Sequence, residues 1–339
     1  MLAAKSGEKY NYSIDLLRIL SILSVVIIHI ATKSLELTKY DLVHHPLIMF
    51  FNQAPRFAVP LFFLISAFVL ELNYPQNFNY FTYLKKRFSR LFLPYLFWSA
   101  IYYFIIFPNN SHSFLINLLS GDSSYQLYFI PSLFIFYLFF PLIHRQINFL
   151  KNKISIIIFG IIQLLILSFD YYFHPLPLPH PISVFLLNFD IFILGILASH
   201  YQNNILYFVK KHHKLFYFTV VALSLFITWQ GRSIYLRTNN YLSFYSQWRP
   251  TVFIYTLIVA SLLMFLFNKL KINTNIVKKI ASYSFFVYFV HIVFIEIIYR
   301  YLPLSLFATP ILPFLMVIIA SYLLAFIFSK IPYLSKITG

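Results

Sequence analysis

The chain contains no cysteine in its 339 residues, which removes disulfides, thiolate metal sites and any acyl-thioester or thiol nucleophile carried by the protein. Glycine is nearly as scarce, with six residues at positions 7, 121, 160, 195, 231 and 339. No phosphate-cradling loop can be built from that spacing, so ATPase and dinucleotide-fold functions are excluded. Acidic residues number nine against 26 Lys and Arg, and charged residues of both signs make up only 10% of the chain. A soluble domain carries about 25% charged and about 45–50% apolar residues. Here 60% are hydrophobic, so the composition is that of an all-α integral membrane protein embedded in membrane lipids.

Runs long enough to cross about 30 Å of hydrocarbon occur at roughly 13–31, 47–71, 91–107, 127–143, 154–173, 182–200, 214–230, 251–269, 280–301 and 312–330. About ten transmembrane helices are expected, in a single domain covering 1–339 with no fused extracytosolic domain. The first run lacks a small-residue cleavage site and is expected to be retained as a span. Basic residues alternate between the loops, 18 on one side and six on the other. By the positive-inside rule both termini are then cytosolic. The net charge of +17 is accounted for by these short loops, so nucleic acid is not an expected partner. The loop 231–250 carries three arginines against the trend.

The most informative chemistry lies in the first run. Arg18 and His29 are eleven residues apart, which on an α-helix returns to nearly the same face about 16 Å further along. Ionisable groups at membrane depth are costly and mark pathways or reaction sites. Asp15, one turn before Arg18, is placed to orient its guanidinium. The bland alternative is that Arg18 snorkels and His29 bonds a neighbouring carbonyl. A second cluster, Lys85-Lys86-Arg87-Phe88-Ser89-Arg90, reads either as a positive-inside anchor or as a phosphate clamp, since arginine forks match phosphate oxygens. Glu71 could position one of these arginines. Asp190 and Arg56 read as polar bridges between helices, with His291 and Glu296 as further polar groups at depth. The histidines 112, 144, 174, 180 and 200 fall near span ends and carry no expected role.

Asp15-x-x-Arg18 followed by ten residues and His29 resembles the first-helix signature of the acyltransferase family 3 membrane proteins. Four further stretches agree in order and spacing: Val59–Phe68 (VPLFFLISAF), Lys86–Pro94 (KRFSRLFLP), Leu127–Leu133 (LYFIPSL) and Ser282–His291 (SYSFFVYFVH). The chain departs from the usual pattern at two places. Ser-Gly-Phe is here Ser66-Ala67-Phe68, which crowds a helix contact, and the paired arginines of an Arg-x-Arg element are here Arg87 and Arg90.

The resemblance implies a membrane O-acyltransferase of the plasma membrane. It would move an acyl group, commonly acetyl, from cytosolic acyl-CoA to a hydroxyl of an extracytosolic or lipid-linked glycan. Acyl-CoA is then a co-substrate, with no bound cofactor and no metal. Transfer is direct or through a separate glycan-assembly partner. His29, Arg18 and Asp15 are the expected catalytic set, and Arg87, Arg90, Lys86 and Arg18 the donor-binding set. His291, a candidate to support the oxyanion, Glu71 and Ser66 are expected to assist. A transporter or exporter of a polysaccharide or lipid-linked intermediate is the alternative, because intramembrane Arg, His and Asp also suit transport.

Overall fold

A computed structural model describes residues 12–38, 45–75, 77–109, 112–173, 178–238, 246–302, 309–332 and 334. Among the described residues there is no strand, and most of them are helical. In chain order the helices are α1 (Tyr12–Leu37), α2 (Pro46–Gln53), a 3-10 turn (Ala54–Phe57), α3 (Ala58–Asn73), α4 (Tyr80–Ile101, prolonged by a π-turn to Ile106), α5 (Phe114–Ser120) and α6 (Phe129–Arg145). Then come α7 (Ile147–Leu150), α8 (Lys153–Phe173), α9 (His180–Leu187), α10 (Phe189–His200), α11 (Gln202–Lys211), α12 (His213–Thr238), α13 (Pro250–Lys269), α14 (Thr274–Tyr301) and α15 (Ile311–Lys330).

Eight of the described segments are long and apolar enough to cross a membrane, and the pair α9–α10, bent by 46°, makes a ninth. The remaining expected run, 127–143, corresponds to α6, an apolar helix of 17 residues and therefore about 26 Å long. The second expected run is α2, the 3-10 turn and α3 in succession. Local chemistry sets several of the starts. Asn79 caps α4 by accepting from the Thr82 amide at 2.9 Å, Asn273 caps α14 by accepting from the Asn275 amide at 3.0 Å, and Pro250 opens α13.

The chain divides into two compact units, one centred on 63–201 and the other on 11–62 and 202–327. In the first unit the break between α9 and α10 frees backbone groups that lipid could not satisfy. Gln163 of α8 satisfies them: its Nε2 donates to the Leu187 carbonyl at 2.9 Å and its Oε1 accepts from the Asp190 amide at 3.2 Å. The interhelical bridge expected of Asp190 is thus built by Gln163 instead. Asp190 itself is buried, and its Oδ2 has no hydrogen-bond partner.

The same unit explains how the chain tolerates Ala67 where the resemblance leads one to expect glycine. The small residue stands opposite, at Gly195 of α10, where an added Cβ would overlap the Leu64 carbonyl oxygen and lie 2.8 Å from the Ala67 Cβ. Gly160 on α8 has nothing within 4 Å of that position. Gly195→Ala is therefore expected to cost about 1–3 kcal/mol by overpacking, while Gly160→Ala leaves stability unchanged or slightly raised. Thermal unfolding of the two purified variants in detergent checks this. Equal melting temperatures would contradict the tight α3–α10 contact.

In the second unit α1 packs along α14 and also against α2, the 3-10 turn and α13. A buried polar network ties these elements together. Asn52 donates to the Ile28 carbonyl at 3.4 Å and to Thr32 Oγ1 at 2.8 Å. Arg56 in turn holds Asn52 through Nε to its carbonyl at 3.0 Å and Nη2 to its Oδ1 at 2.7 Å. Arg56 therefore joins the 3-10 turn to α1 through Asn52. Arg249 is fully buried, with Nη2 donating to Gln53 Oε1 at 2.6 Å and Nη1 reaching Gln230 Oε1 at 3.5 Å. One of the three arginines that ran against the charge trend in 231–250 is thus a buried structural cation and does not belong to a solvated loop.

Candidate active site

Within the second unit, α1 carries the ionisable residues expected of a reaction site. Asp15 is buried near the start of the helix and accepts from Arg18 Nη1 at 3.0 Å, with the Arg18 side chain 34% exposed. An aspartate and an arginine at i, i+3 share a helix face, so the carboxylate fixes the guanidinium while leaving it open to a ligand. His29, three turns along, is half-buried.

The partner of His29 comes from α14. The His291 ring lies 5.4 Å from the His29 ring, centroid to centroid, at an interplanar angle of 33°. His291 is fully buried, its Nδ1 lies 3.0 Å from the Val287 carbonyl one turn back, and its Nε2 has no hydrogen-bond partner. Because a carbonyl only accepts, Nδ1 carries the hydrogen, and the Nε2 of a neutral imidazole presents a lone pair. Arg56 is close enough to interact electrostatically with His29. One turn beyond the histidines on both helices, Lys33 of α1 pairs with Glu296 of α14 at 3.2 Å, both side chains about 30% exposed.

In the first unit the two arginines of α4 part company. Arg90 and Lys86 are exposed. Arg87 turns inward, its guanidinium carbon 5.0 Å from the Tyr74 ring centroid, 5.8 Å from Tyr137 and 5.9 Å from Tyr83. Its Nε and Nη2 are buried without a hydrogen-bond partner. Stacking a guanidinium on aromatic faces is favourable, but buried N–H donors without acceptors are rare in native structures. Tyr83 precedes Arg87 by one helical turn, a spacing visible in the sequence. Tyr74 and Tyr137 come from α3's C-terminal flank and from α6, and no local pattern announces them.

Glu71 does not position an arginine. Both its oxygens are taken by histidines: His144 Nδ1 at 2.6 Å to Oε2 and His200 Nε2 at 2.7 Å to Oε1. His144 and His200, read from the sequence as residues without a role, are thereby the partners of a buried carboxylate. The assignment failed because α3, α6 and α10 meet only in the fold. Ser66 is half-buried on α3. Among the described residues no group of three or more His, Asp and Glu could hold a metal ion.

Residues 11–330 match a family described as an acyltransferase domain. The chain belongs to the acyltransferase 3 family. Its described helices and this match make it an integral membrane acyltransferase. Among relatives of this acyltransferase, the "Putative membrane-bound acyltransferase YfiQ" of Bacillus subtilis (strain 168) is 26% identical over 306 residues, covering 84% of this chain and 81% of the relative. The "Probable poly-beta-1,6-N-acetyl-D-glucosamine export protein" of Staphylococcus aureus (strain MSSA476) is 24% identical over 269 residues, 72% of this chain and 71% of the relative. No solved structure matches.

Proposed function

We propose that this acyltransferase moves an acyl group, acetyl in the first instance, from cytosolic acyl-CoA to a hydroxyl of an extracytosolic or lipid-linked glycan at the plasma membrane. The observation that carries the reading is the half-buried His29 set against the buried, unpartnered Nε2 of His291. His29 takes the proton of the acceptor hydroxyl at one ring nitrogen, and the oxygen attacks the thioester carbonyl. The C–S bond then breaks, and the departing CoA sulfur receives the proton from the His29 imidazolium. A positioned base of this kind contributes about 10²–10⁴-fold.

His291 suits an orienting role better than the oxyanion role first considered for it, since a neutral ring fixed by Val287 offers a lone pair and not a donor. We assign its Nε2 lone pair to orienting the neighbouring His29 ring. The positive charge of Arg56 is available to the developing oxyanion. On the donor side, Arg87 with Arg90 and Lys86 hold the phosphates, Arg87 as the inward fork and the exposed Arg90 and Lys86 as a charged rim.

The 18-to-6 bias of basic residues supports both termini being cytosolic. With no native cysteine, single cysteines at Asn109 and Ser246 are expected to react with an impermeant reagent from outside intact cells, and ones at Asn152 and Asn273 only after lysis. The inverse labelling would put the donor arginines in the wrong compartment.

A second reading, export of a polysaccharide intermediate, is favoured by the printed name of the Staphylococcus relative. Mass spectrometry of surface glycans from cells with and without the protein separates the two. The acyltransferase reading expects acyl ester groups to disappear while the glycan remains at the surface. Loss of the glycan itself, with no change in acylation of what is left, supports export.

A further inference from the structure

The two helices that bring His29 and His291 together meet again one turn further on, at Lys33 of α1 and Glu296 of α14. Lys33 Nζ stands astride the carboxylate, 3.2 Å from Oε1 and 3.4 Å from Oε2, with the two side chains 30% and 28% exposed. Glu36, exposed on the next turn of α1, is close enough to interact electrostatically with both. Holding α1 to α14 does not depend on this pair. On the same two helices the Tyr299 hydroxyl donates to the Ile30 carbonyl at 3.0 Å and lies 2.8 Å from Ser34 Oγ, both side chains being buried. A part-exposed ion pair adds little stability to such a seam. It does retain binding capacity. An ammonium has three hydrogens and a carboxylate about four lone-pair positions, so each group can engage the other and still bond a hydroxyl on its open side.

We propose, resting on the hydroxyl-acceptor reading above, that Lys33 and Glu296 form the acceptor subsite and read two neighbouring hydroxyls of a sugar ring while a third is held at His29. Three features select that group. Lys33 follows His29 by four residues, so it stands about 6 Å further along the same helix face, a step that one pyranose ring spans. A neutral diol complements the pair, one hydroxyl donating to the Glu296 carboxylate and its neighbour accepting from the Lys33 ammonium. With both termini cytosolic, the pair lies on the extracytosolic side of His29, where an acceptor arriving from that side meets it first. Lys33 and Glu296 set specificity and orientation; the proton stays with His29.

The test is acyl transfer from acetyl-CoA by the full chain in lipid nanodiscs to the methyl pyranosides of glucose, galactose and mannose, and to propan-1-ol, which offers one hydroxyl and no neighbour. Wild type is expected to favour at least one pyranoside over propan-1-ol about tenfold or more in kcat/KM. Glu296→Gln, which keeps the shape and removes the charge, and Lys33→Met, which keeps the stem and removes the ammonium, are each expected to lower that preference about tenfold through a raised pyranoside KM. Wild type that uses propan-1-ol as readily as every pyranoside overturns the subsite and leaves the hydroxyl-acceptor reading standing. Variants in which transfer to both classes falls in parallel with the melting temperature, the preference unchanged, also overturn it, by making the pair a structural bridge. Wild type that acylates none of these hydroxyls overturns the subsite together with the hydroxyl-acceptor reading.

Discussion

His29→Gln is expected to yield a folded, CoA-binding protein whose acyl transfer falls by about 10²–10⁴-fold. Glutamine retains hydrogen-bonding capacity at this position but cannot accept a proton near neutral pH. It therefore separates a base from a histidine that only bonds its surroundings. His29 is half-buried and faces His291, so it is open to a substrate from one side and shielded on the other. His29→Ala should be as inactive as His29→Gln, with membrane insertion and CoA binding intact in both. The wild-type rate should also fall as the pH is lowered, because the protonated imidazole has no lone pair to offer. A structural histidine predicts the opposite pattern, with glutamine largely active and alanine lowering the melting temperature. Steady-state kinetics alongside thermal unfolding distinguish the two.

Arg87→Ala is expected to weaken CoA binding about 10–100-fold. Charge-assisted bonds to phosphate are worth roughly 1.5–3 kcal/mol each. Two of the guanidinium nitrogens are buried with no other partner, so little competes with the ligand for them. Arg87→Lys should recover only part of the affinity, since an ammonium lacks the planar fork and stacks less well on the three tyrosines. Arg90→Ala is expected to have a smaller effect that disappears as salt is raised, because Arg90 is exposed and acts through screened charge. Titrations of the three variants at low and high ionic strength check the order. If Arg90→Ala proves the more damaging, the inward residue has been misassigned.

The helices were legible because length and hydropathy are local properties, and every long apolar run became helical, with 47–71 and 182–200 each interrupted. The break at Asn188 was not, since what stabilises it is Gln163, from another helix. The same contrast governs the site. Arg18, Asp15 and His29 lie on one helix at spacings that place them on one face, so their relation could be derived without a fold. Tyr83 and Arg87 are likewise one turn apart. His291, His144 and His200 carry no such local signal. Each acquires its meaning from a partner on a different helix, His29 for the first and Glu71 for the other two. Arg249 was misjudged for the same reason, as a loop charge, because Gln53 and Gln230 bury it from separate segments. Lone polar residues in apolar runs announced that something was there, but only the packing of helices said what.

The most direct test of the account is acyl transfer by the purified protein. Reconstituted in proteoliposomes with acetyl-CoA labelled in the acetyl group and a hydroxyl-bearing glycan acceptor, wild type should release free CoA and place the label on the glycan as an alkali-labile ester. His29→Gln should bind CoA and do neither. Movement of the glycan across the bilayer with acetyl-CoA left intact would contradict the account.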